Sequence, residues 1–319
     1  MKAVSIKEPG GPEVLEWIEV EDPGPAAGEV VVDVVAGALN RADVMQRMGL
    51  YPLAPGTSPY PGLEVSGRIG ALGDGVTGWQ VGDEVCALLT GGGYAQKVAV
   101  PAGQLLPVPA GVGLTDAAGL PEVTATVWSN LVMTAGLKQG ETLLVHGGLG
   151  GVGSMAIQVA KVLGVRVVTT VGGPEKVARV RELGADVAVD HRTEDFTEYG
   201  PFDVILDVIG GDYLERNIRS LAADGRLVVI GLQNGLDGTL NLADLVFKRL
   251  SVYGTTLRTR SKEQKAAIVA EVRDHVWPMI ENGSVRLLIE DRLPMEEAAE
   301  AHRRMEAGGH TGKILLVNE

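Results

Sequence analysis

The sequence predicts an α/β protein in which a β-rich part precedes a doubly wound, six-stranded parallel sheet. Three features carry that prediction. The opening stretch breaks into short apolar runs separated by Gly- and Pro-rich turns. From about Thr115 onward, strand-like and helix-like patterns alternate, as βαβ units require. A glycine-rich segment stands at the joint between one such strand and one such helix.

Residues 2–7, 14–20 and 29–35 have the β-branched, apolar character of strands, and Gly10-Gly11-Pro12 and Pro23-Gly24-Pro25 punctuate them. A short helix is expected over 41–48. The loop 49–61 after it contains Pro52, Pro55, Pro59 and Pro61, which is incompatible with helix or central strand. Strands resume at 65–71, 84–89, 95–100 and 105–108, a pattern suited to a barrel-like β domain. Six strands are then expected at 142–146, 166–171, 186–190, 203–209, 226–230 and 251–256. Helices at 154–163, 174–183, 212–221 and 242–248 fall between them. The tail reads as helix 262–281, strand 285–289, helix 296–307 and strand 313–317. It is too short for an independent domain and is expected to pack back on the β-rich part. The expected division is therefore 1–117, 118–257 and a returning segment 258–319.

Composition limits the function classes. The chain carries 41 acidic against 28 Lys and Arg residues, a formal net charge of −13. That opposes nucleic-acid binding, which needs a basic footprint. Any anionic ligand must be held by local cations and backbone N–H groups. The single cysteine, Cys86, excludes an internal disulfide and a Cys-rich zinc site, and sits in an apolar strand as packing. The five histidines show no metal-ligand spacing. No apolar run reaches the ~20 residues of a membrane helix, and residues 1–6 lack a signal-peptide shape, so a cytoplasmic location is expected.

The segment Val145-His146-Gly147-Gly148-Leu149-Gly150-Gly151-Val152-Gly153 contains G-x-G-x-x-G at Gly148, Gly150 and Gly153. Following a strand and opening a helix, it fits a dinucleotide pyrophosphate, neutralised by N–H groups at the helix N-terminus. His146, Leu149, Gly151 and Val152 are taken as part of that site. The next strand chooses the dinucleotide. An NAD site carries an acid at its tip for the ribose 2′-OH. Here the tip reads Val171-Gly172-Gly173-Pro174-Glu175-Lys176. Gly172 and Gly173 leave space, and Lys176 supplies a charge for a 2′-phosphate, which favours NADPH. His191 and Arg192 are either further phosphate or adenine contacts or a surface turn. Val208, Gly210, Gly231, Leu232, Thr256 and Arg258 are expected to line the crevice at the strand ends, with plain turn architecture as the alternative.

Several segments carry a family resemblance. Ala38-Leu39-Asn40-Arg41-Ala42-Asp43-Val44-Met45-Gln46-Arg47 with the Tyr51 loop, Pro61-Gly62-Leu63-Glu64-Val65-Ser66-Gly67, Leu88-Leu89-Thr90-Gly91-Gly92-Gly93-Tyr94-Ala95-Gln96 and Asp207-Val208-Ile209-Gly210-Gly211 resemble the medium-chain dehydrogenase/reductases. Within them the chain is similar to the quinone oxidoreductases of the p53-inducible-gene-3 type, over essentially its whole length. The resemblance implies a GroES-like catalytic domain, a Rossmann domain and a homodimer. Zinc-dependent members use a Cys in the first of these motifs and His-Glu in the second. Asn40 and Leu63-Glu64 stand there instead, so no metal is expected. Without a Lewis acid, alcohol oxidation loses its usual alkoxide stabilisation, whereas hydride delivery to an electrophilic acceptor stays feasible.

Asn40 is expected to donate through its amide and Tyr51 through its phenol to the acceptor oxygen. For Tyr51 the alternative is a packed loop aromatic. Asp43 is either a site residue or a helix cap. The resemblance places Thr126 near the nicotinamide carboxamide and Lys313 near the active-site cleft; a helix hydroxyl and a solvated tail lysine are the alternatives. The expected function is a zinc-free, NADPH-dependent quinone reductase. An alkenal or enone reductase and a non-catalytic NADPH-binding redox sensor are the competing readings.

Overall fold

The computed structural model describes residues 1–51, 53 and 56–318. The chain forms two compact units. The first comprises Met1–Ala125, Leu257–Glu281 and the chain from Leu287; the second comprises Thr126–Thr256 and Asn282–Arg286.

In the first unit, β1 (Lys2–Ile6) and β2 (Leu15–Glu19) form an antiparallel pair. The main sheet is built on β3 (Glu29–Ala38), whose Glu-Val-Val-Val-Asp-Val-Val sequence buries its valines. β4 (Glu64–Leu72), β5 (Glu84–Leu88), β6 (Lys97–Pro101) and β7 (Leu105–Pro107) complete its N-terminal part. Two strands come from the tail, β14 (Ile289–Pro294) and β15 (Lys313–Val317). The order is β14-β15-β3-β4-β5-β7; off this path, β6 pairs with Glu29–Asp33 of β3, while β15 pairs with Ala36–Ala38. β15 runs antiparallel to β3, pairing Leu316 with Gly37. Helices α1 (Arg41–Arg47), α2 (Leu114–Ala117), α8 (Lys262–His275), α9 (Trp277–Glu281) and α10 (Ala298–Ala307) belong to this unit. Its core is aliphatic, with Val30, Val65, Ile69, Val85 and Leu316 around buried Tyr94. Cys86 is fully buried in β5, and burial pushes its thiol far above the ordinary range, so it has the character of packing.

Helix α3 (Pro121–Trp128) spans the sequence boundary between the units. The second unit is one parallel sheet of β8 (Thr142–His146), β9 (Arg166–Val171), β10 (Val187–Asp190), β11 (Phe202–Asp207), β12 (Leu221–Val229) and β13 (Ser251–Gly254). Its spatial order is β10-β9-β8-β11-β12-β13, the doubly wound 3-2-1-4-5-6 arrangement with a switch point between β8 and β11. Helices α4 (Gly151–Val162), α5 (Pro174–Glu182), α6 (Tyr213–Ser220) and α7 (Leu242–Phe247) fall between the strands. The expected α/β class with its six-stranded sheet is therefore what the chain forms.

Three local expectations need correction. The tail strand lies at 289–294, not 285–289, because Gln158 holds the backbone of Arg286 from both sides in the second unit. The expected helix 262–281 is two helices, since Pro278 in the first turn of α9 cannot donate to the preceding turn. Helix α4 starts at Gly151 rather than Ser154, so its first turn is built from residues of poor helix propensity.

Candidate functional site

The glycine segment of the second unit leaves β8 with Gly147 at φ +74°. Gly147 and Gly148 N–H both donate to the Thr170 carbonyl at 3.1 Å. A Cβ on Gly153 would lie 2.2 Å from the Gly147 carbonyl oxygen and 2.8 Å from Gly148 Cα, so nothing but glycine fits. A Cβ on Gly148 would meet Thr169 Oγ1 at 2.2 Å. Gly150, by contrast, has open room on its Cβ side, with Gly147 oxygen at 3.6 Å. It caps α4, and the N–H groups of Gly151, Val152 and Gly153 at the helix start have no intrahelical acceptor. Together with Leu149 this is a cradle of backbone shaped for a phosphate anion.

Two glycines shape the tip of β9. Gly173, at φ +100°, precedes α5, and its N–H donates to Asp190 Oδ1 at 3.0 Å. Asp190 Oδ1 also accepts from Arg192 N–H at 3.1 Å. This fixes the turn after β10 beside the tip of β9. A Cβ on Gly172 would stand 3.1 Å from His191 Nε2 and 3.2 Å from Arg192 Nε. Exposed His191 and Arg192 are therefore brought to the β9 tip, where the chain offers no carboxylate of its own in Gly172-Gly173. Lys176 lies in the first turn of α5.

Val208, Gly210 and Gly231 come together at the ends of β11 and β12: a Cβ on Gly231 would meet the Val208 carbonyl oxygen at 2.5 Å, and one on Gly210 the Leu232 side chain at 3.0 Å. Thr256 is exposed after β13, and buried Thr126 lies in α3.

His146 is not a ligand contact, contrary to expectation. It is fully buried. Asp207 accepts from Asn217 Nδ2 at 3.1 Å, which leaves Asn217 Oδ1 to accept from His146 Nε2 at 2.8 Å. Nδ1 then accepts from Thr170 Oγ1 at 3.0 Å. Burial holds the ring well below the usual histidine range and so neutral. Asp207 Oδ1 accepts from Ile209 and Gly210 N–H at 2.7 and 3.1 Å. One buried network thus fixes the turns after β8 and β11 from behind. Sequence reading gave no role to Asn217, which lies in no motif, or to Asp207, although Asp207 opens the Asp207-Val208-Ile209-Gly210-Gly211 segment.

In the first unit, Asp43 forms a capping box with Asn40: Asn40 N–H donates to Asp43 Oδ2 at 2.8 Å. Asp43 also accepts from Gly62 N–H at 3.1 Å and from the Tyr94 hydroxyl at 3.0 Å. Burial raises its carboxyl to about 6. Every bond of this sealed carboxylate goes to scaffold, which corrects its placement at the reacting centre.

Asn40 and Lys313 are likewise held by bonds within the unit. Asn40 Nδ2 donates to Glu64 Oε1 at 3.0 Å and to the Ala38 carbonyl at 3.3 Å, so both amide protons are spoken for. Its Oδ1 accepts from Lys313 Nζ at 2.8 Å. Lys313 also donates to the Leu39 carbonyl at 2.8 Å and pairs with Glu64 at 2.6 Å. Both charges are buried. Glu64 Oε2 accepts from Glu122 N–H at 2.9 Å, which ties α3 to β4. Arg258, expected among the strand ends of the parallel sheet, belongs instead to the first unit, because the chain leaves the sheet at Gly254. Its guanidinium lies over the Tyr51 ring, 5.1 Å from the centroid.

A parallel sheet with a phosphate cradle at its switch point, joined in one chain to a β-rich unit, defines a two-domain dinucleotide-dependent oxidoreductase. Residues 26–110 match the alcohol dehydrogenase GroES-like domain, and residues 151–271 match the zinc-binding dehydrogenase family. The quinone oxidoreductase of Pseudomonas aeruginosa is 34% identical over 99% of both chains. The chain is also 32% identical to the mycocerosic acid synthase-like polyketide synthase of Mycobacterium tuberculosis, over 98% of its own length, and it spans 15% of that larger protein. Among solved structures, the Pseudomonas syringae quinone oxidoreductase superposes with a TM-score of 0.89 at 32% identity, covering 99% of both chains. The Escherichia coli quinone oxidoreductase complexed with NADPH gives 0.88 at 29%, covering 99% of this chain and 100% of that one. The chain belongs to the medium-chain dehydrogenase/reductase family.

The zinc named in one of these family descriptions does not fit the residues here. Leu63 is aliphatic, Asn40 is an amide held on both faces, and Glu64 is already neutralised by an ammonium. Among the described residues, no group of three or more His, Cys, Asp and Glu is placed to hold a metal ion.

Proposed function

We propose that this chain is a zinc-free, NADPH-dependent reductase that delivers hydride to quinones. The observation that carries the cofactor choice is the β9 tip, where Gly172 and Gly173 lie against His191 and Arg192 and the nearby Asp190 carboxylate is taken up by the N–H groups of Gly173 and Arg192. A ribose 2′-phosphate fits that cationic notch, with Lys176 as a further charge. NADPH when bound supplies the hydride. The chain's part is to place and electrostatically support the reactants. Leu149, Gly151, Val152 and Gly153 hold the pyrophosphate, and Val208, Gly210, Gly231, Leu232, Thr126 and Thr256 serve as lining. Tyr51 donates its phenolic hydrogen bond to the acceptor oxygen as negative charge develops. Lys313, Asn40, Asp43 and Glu64 act as scaffold, with the Lys313 ammonium supplying the positive charge beside Glu64.

The quinone acceptor is supported by the full-length likeness to quinone oxidoreductases. A second reading, reduction of an enoyl group, is favoured by the CurK enoyl reductase, with a TM-score of 0.86 at 27% identity over 100% of this chain and 99% of that one. The polyketide synthase likeness points the same way. NADPH oxidation followed with a small quinone and with a 2-enoyl thioester decides between them. Quinone-dependent oxidation that survives a chelator is the expected result. Turnover of the thioester alone would give the enoyl reading. Tyr51→Phe should lower kcat about tenfold or more with little change in NADPH affinity; equal kcat would remove Tyr51 from the chemistry.

The same reading includes a homodimer. Its support is the apolar exposure of Leu242, Val246 and Phe247 on α7 and of Val252 on the outermost strand β13, with Phe247 81% exposed.

A further inference from the structure

Two cations of the first unit are buried without an ion-pair partner among the described residues. Arg258 is 6% exposed and Lys265 is 2% exposed. Thr90 joins them: its carbonyl accepts from Arg258 Nε at 2.9 Å, and its hydroxyl accepts from Lys265 Nζ at 2.7 Å. Lys265 Nζ also donates to the Arg258 carbonyl at 2.8 Å. Arg258 Nη2 donates to Gln46 Oε1 at 2.6 Å. Gln46 is itself held through its Nε2, which donates to the Pro59 carbonyl at 3.0 Å. Every one of these acceptors is neutral. Arg258 Nη1, with its two N–H groups, is buried and has no hydrogen-bond partner among the described residues.

Buried charges ordinarily carry a counter-charge, and buried donors are ordinarily satisfied. Lys313 of this same unit obeys that rule with Glu64. Arg258 and Lys265 have no such ion pair among the described residues, although the charge of Glu122 acts on both and that of Asp43 on Arg258. Burial pushes the Lys265 ammonium down to about 8, the expected consequence of a cation short of an anion. A planar guanidinium with one edge unused matches a carboxylate or a similar oxyanion.

We propose that Arg258 and Lys265 form an anion site that receives a carboxylate or equivalent oxyanion of the acceptor. The proposal rests on the reductase reading and narrows it: the acceptor carries a negatively charged group beside the carbonyl to be reduced. Because the Tyr51 ring lies over the Arg258 guanidinium, an acceptor anchored there meets the phenol assigned as its donor. The same oxyanion chemistry is offered by a cofactor phosphate, so the test separates the two sources.

The full chain is titrated calorimetrically with benzoate and with benzamide, each with and without saturating NADPH. Benzoate is expected to bind at least tenfold tighter than benzamide, with and without the cofactor. Arg258→Gln is expected to abolish that preference. Lys265→Met, which leaves the Arg258 hydrogen bonds to Gln46 and to the Thr90 carbonyl in place, is expected to reduce it several-fold and covers the case in which the first variant does not fold. Benzoate that binds no tighter than benzamide overturns the site. Benzoate displaced by NADPH assigns it to a cofactor phosphate and overturns the acceptor assignment. Absence of quinone turnover with benzoate binding intact would remove the quinone reading and leave the anion site standing.

Discussion

Arg192 and Gly153 serve the cofactor site by opposite means, one through a charge and the other through a missing atom. Arg192 is exposed, and its place is set by the bond from its own N–H to Asp190. A charge-assisted bond to a phosphate contributes about 1.5–3 kcal/mol, and exposure argues for the lower end. Arg192→Ala should therefore cut the preference for NADPH over NADH about tenfold, read as the ratio of the two KM values; an unaltered ratio would take the 2′-phosphate away from this turn. Gly153→Ala forces a Cβ onto backbone atoms that cannot swing aside. Cofactor fluorescence titration should show NADPH affinity reduced more than tenfold, and wild-type affinity would contradict the close-approach argument. Such glycines are legible in the sequence because their cause is local. The roles of Lys313 and His146 were not, because their partners are remote: Asn40 stands 273 residues from Lys313, and Asn217 stands 71 residues from His146. A short motif gives no view of such pairs, which bury His146 completely and Lys313 almost so.

Helix α10 is fastened to α1 by a buried polar contact that makes stability depend on pH. Arg47 forms two bonds to Glu306 at 2.7 and 2.8 Å, and its Nη1 donates to His302 Nδ1 at 3.2 Å. Burial, with the Arg47 charge beside it, holds His302 down to about 3. The unfolded chain has an ordinary histidine near 6.5, so below that pH it takes up a proton that the folded chain refuses. Stability from this group is thus complete above pH 6.5 and is lost as pH falls towards 3, at about 1.4 kcal/mol per pH unit. Denaturant unfolding at pH 6.5 and pH 5 should show wild type losing about 2 kcal/mol more than His302→Gln; equal losses would refute the buried neutral ring. Element boundaries were read with uneven success for reasons of burial. β9 was expected at its observed limits, Arg166–Val171, because a strand covered on both faces is a continuous apolar run. β14 alternates exposed and partly buried residues, and as an edge strand ending in Pro294 it gives a weaker signal.

The two units respond differently to change at their surfaces and ends. The second unit exposes apolar residues on α7 and on the edge strand β13, and a pair of such surfaces related by a two-fold axis is the simplest way to cover them. Val246→Asp together with Phe247→Asp should convert a dimer to monomer in sedimentation velocity while the circular dichroism spectrum stays unchanged; a variant that still sediments as a dimer would move the interface elsewhere. The first unit has a further property, set by the pairing of β15 with β3. On the ribosome, the parallel sheet is complete once Gly254 has emerged, whereas the Ala36–Ala38 end of β3, made early, must wait for Leu315, Leu316 and Val317. During that interval the Ala36–Ala38 end of the strand lacks a neighbour on one side. A ribosome that stalls before Leu315 is made would leave a finished parallel sheet attached to an unfinished one, and nascent-chain quality control would meet the protein in that form.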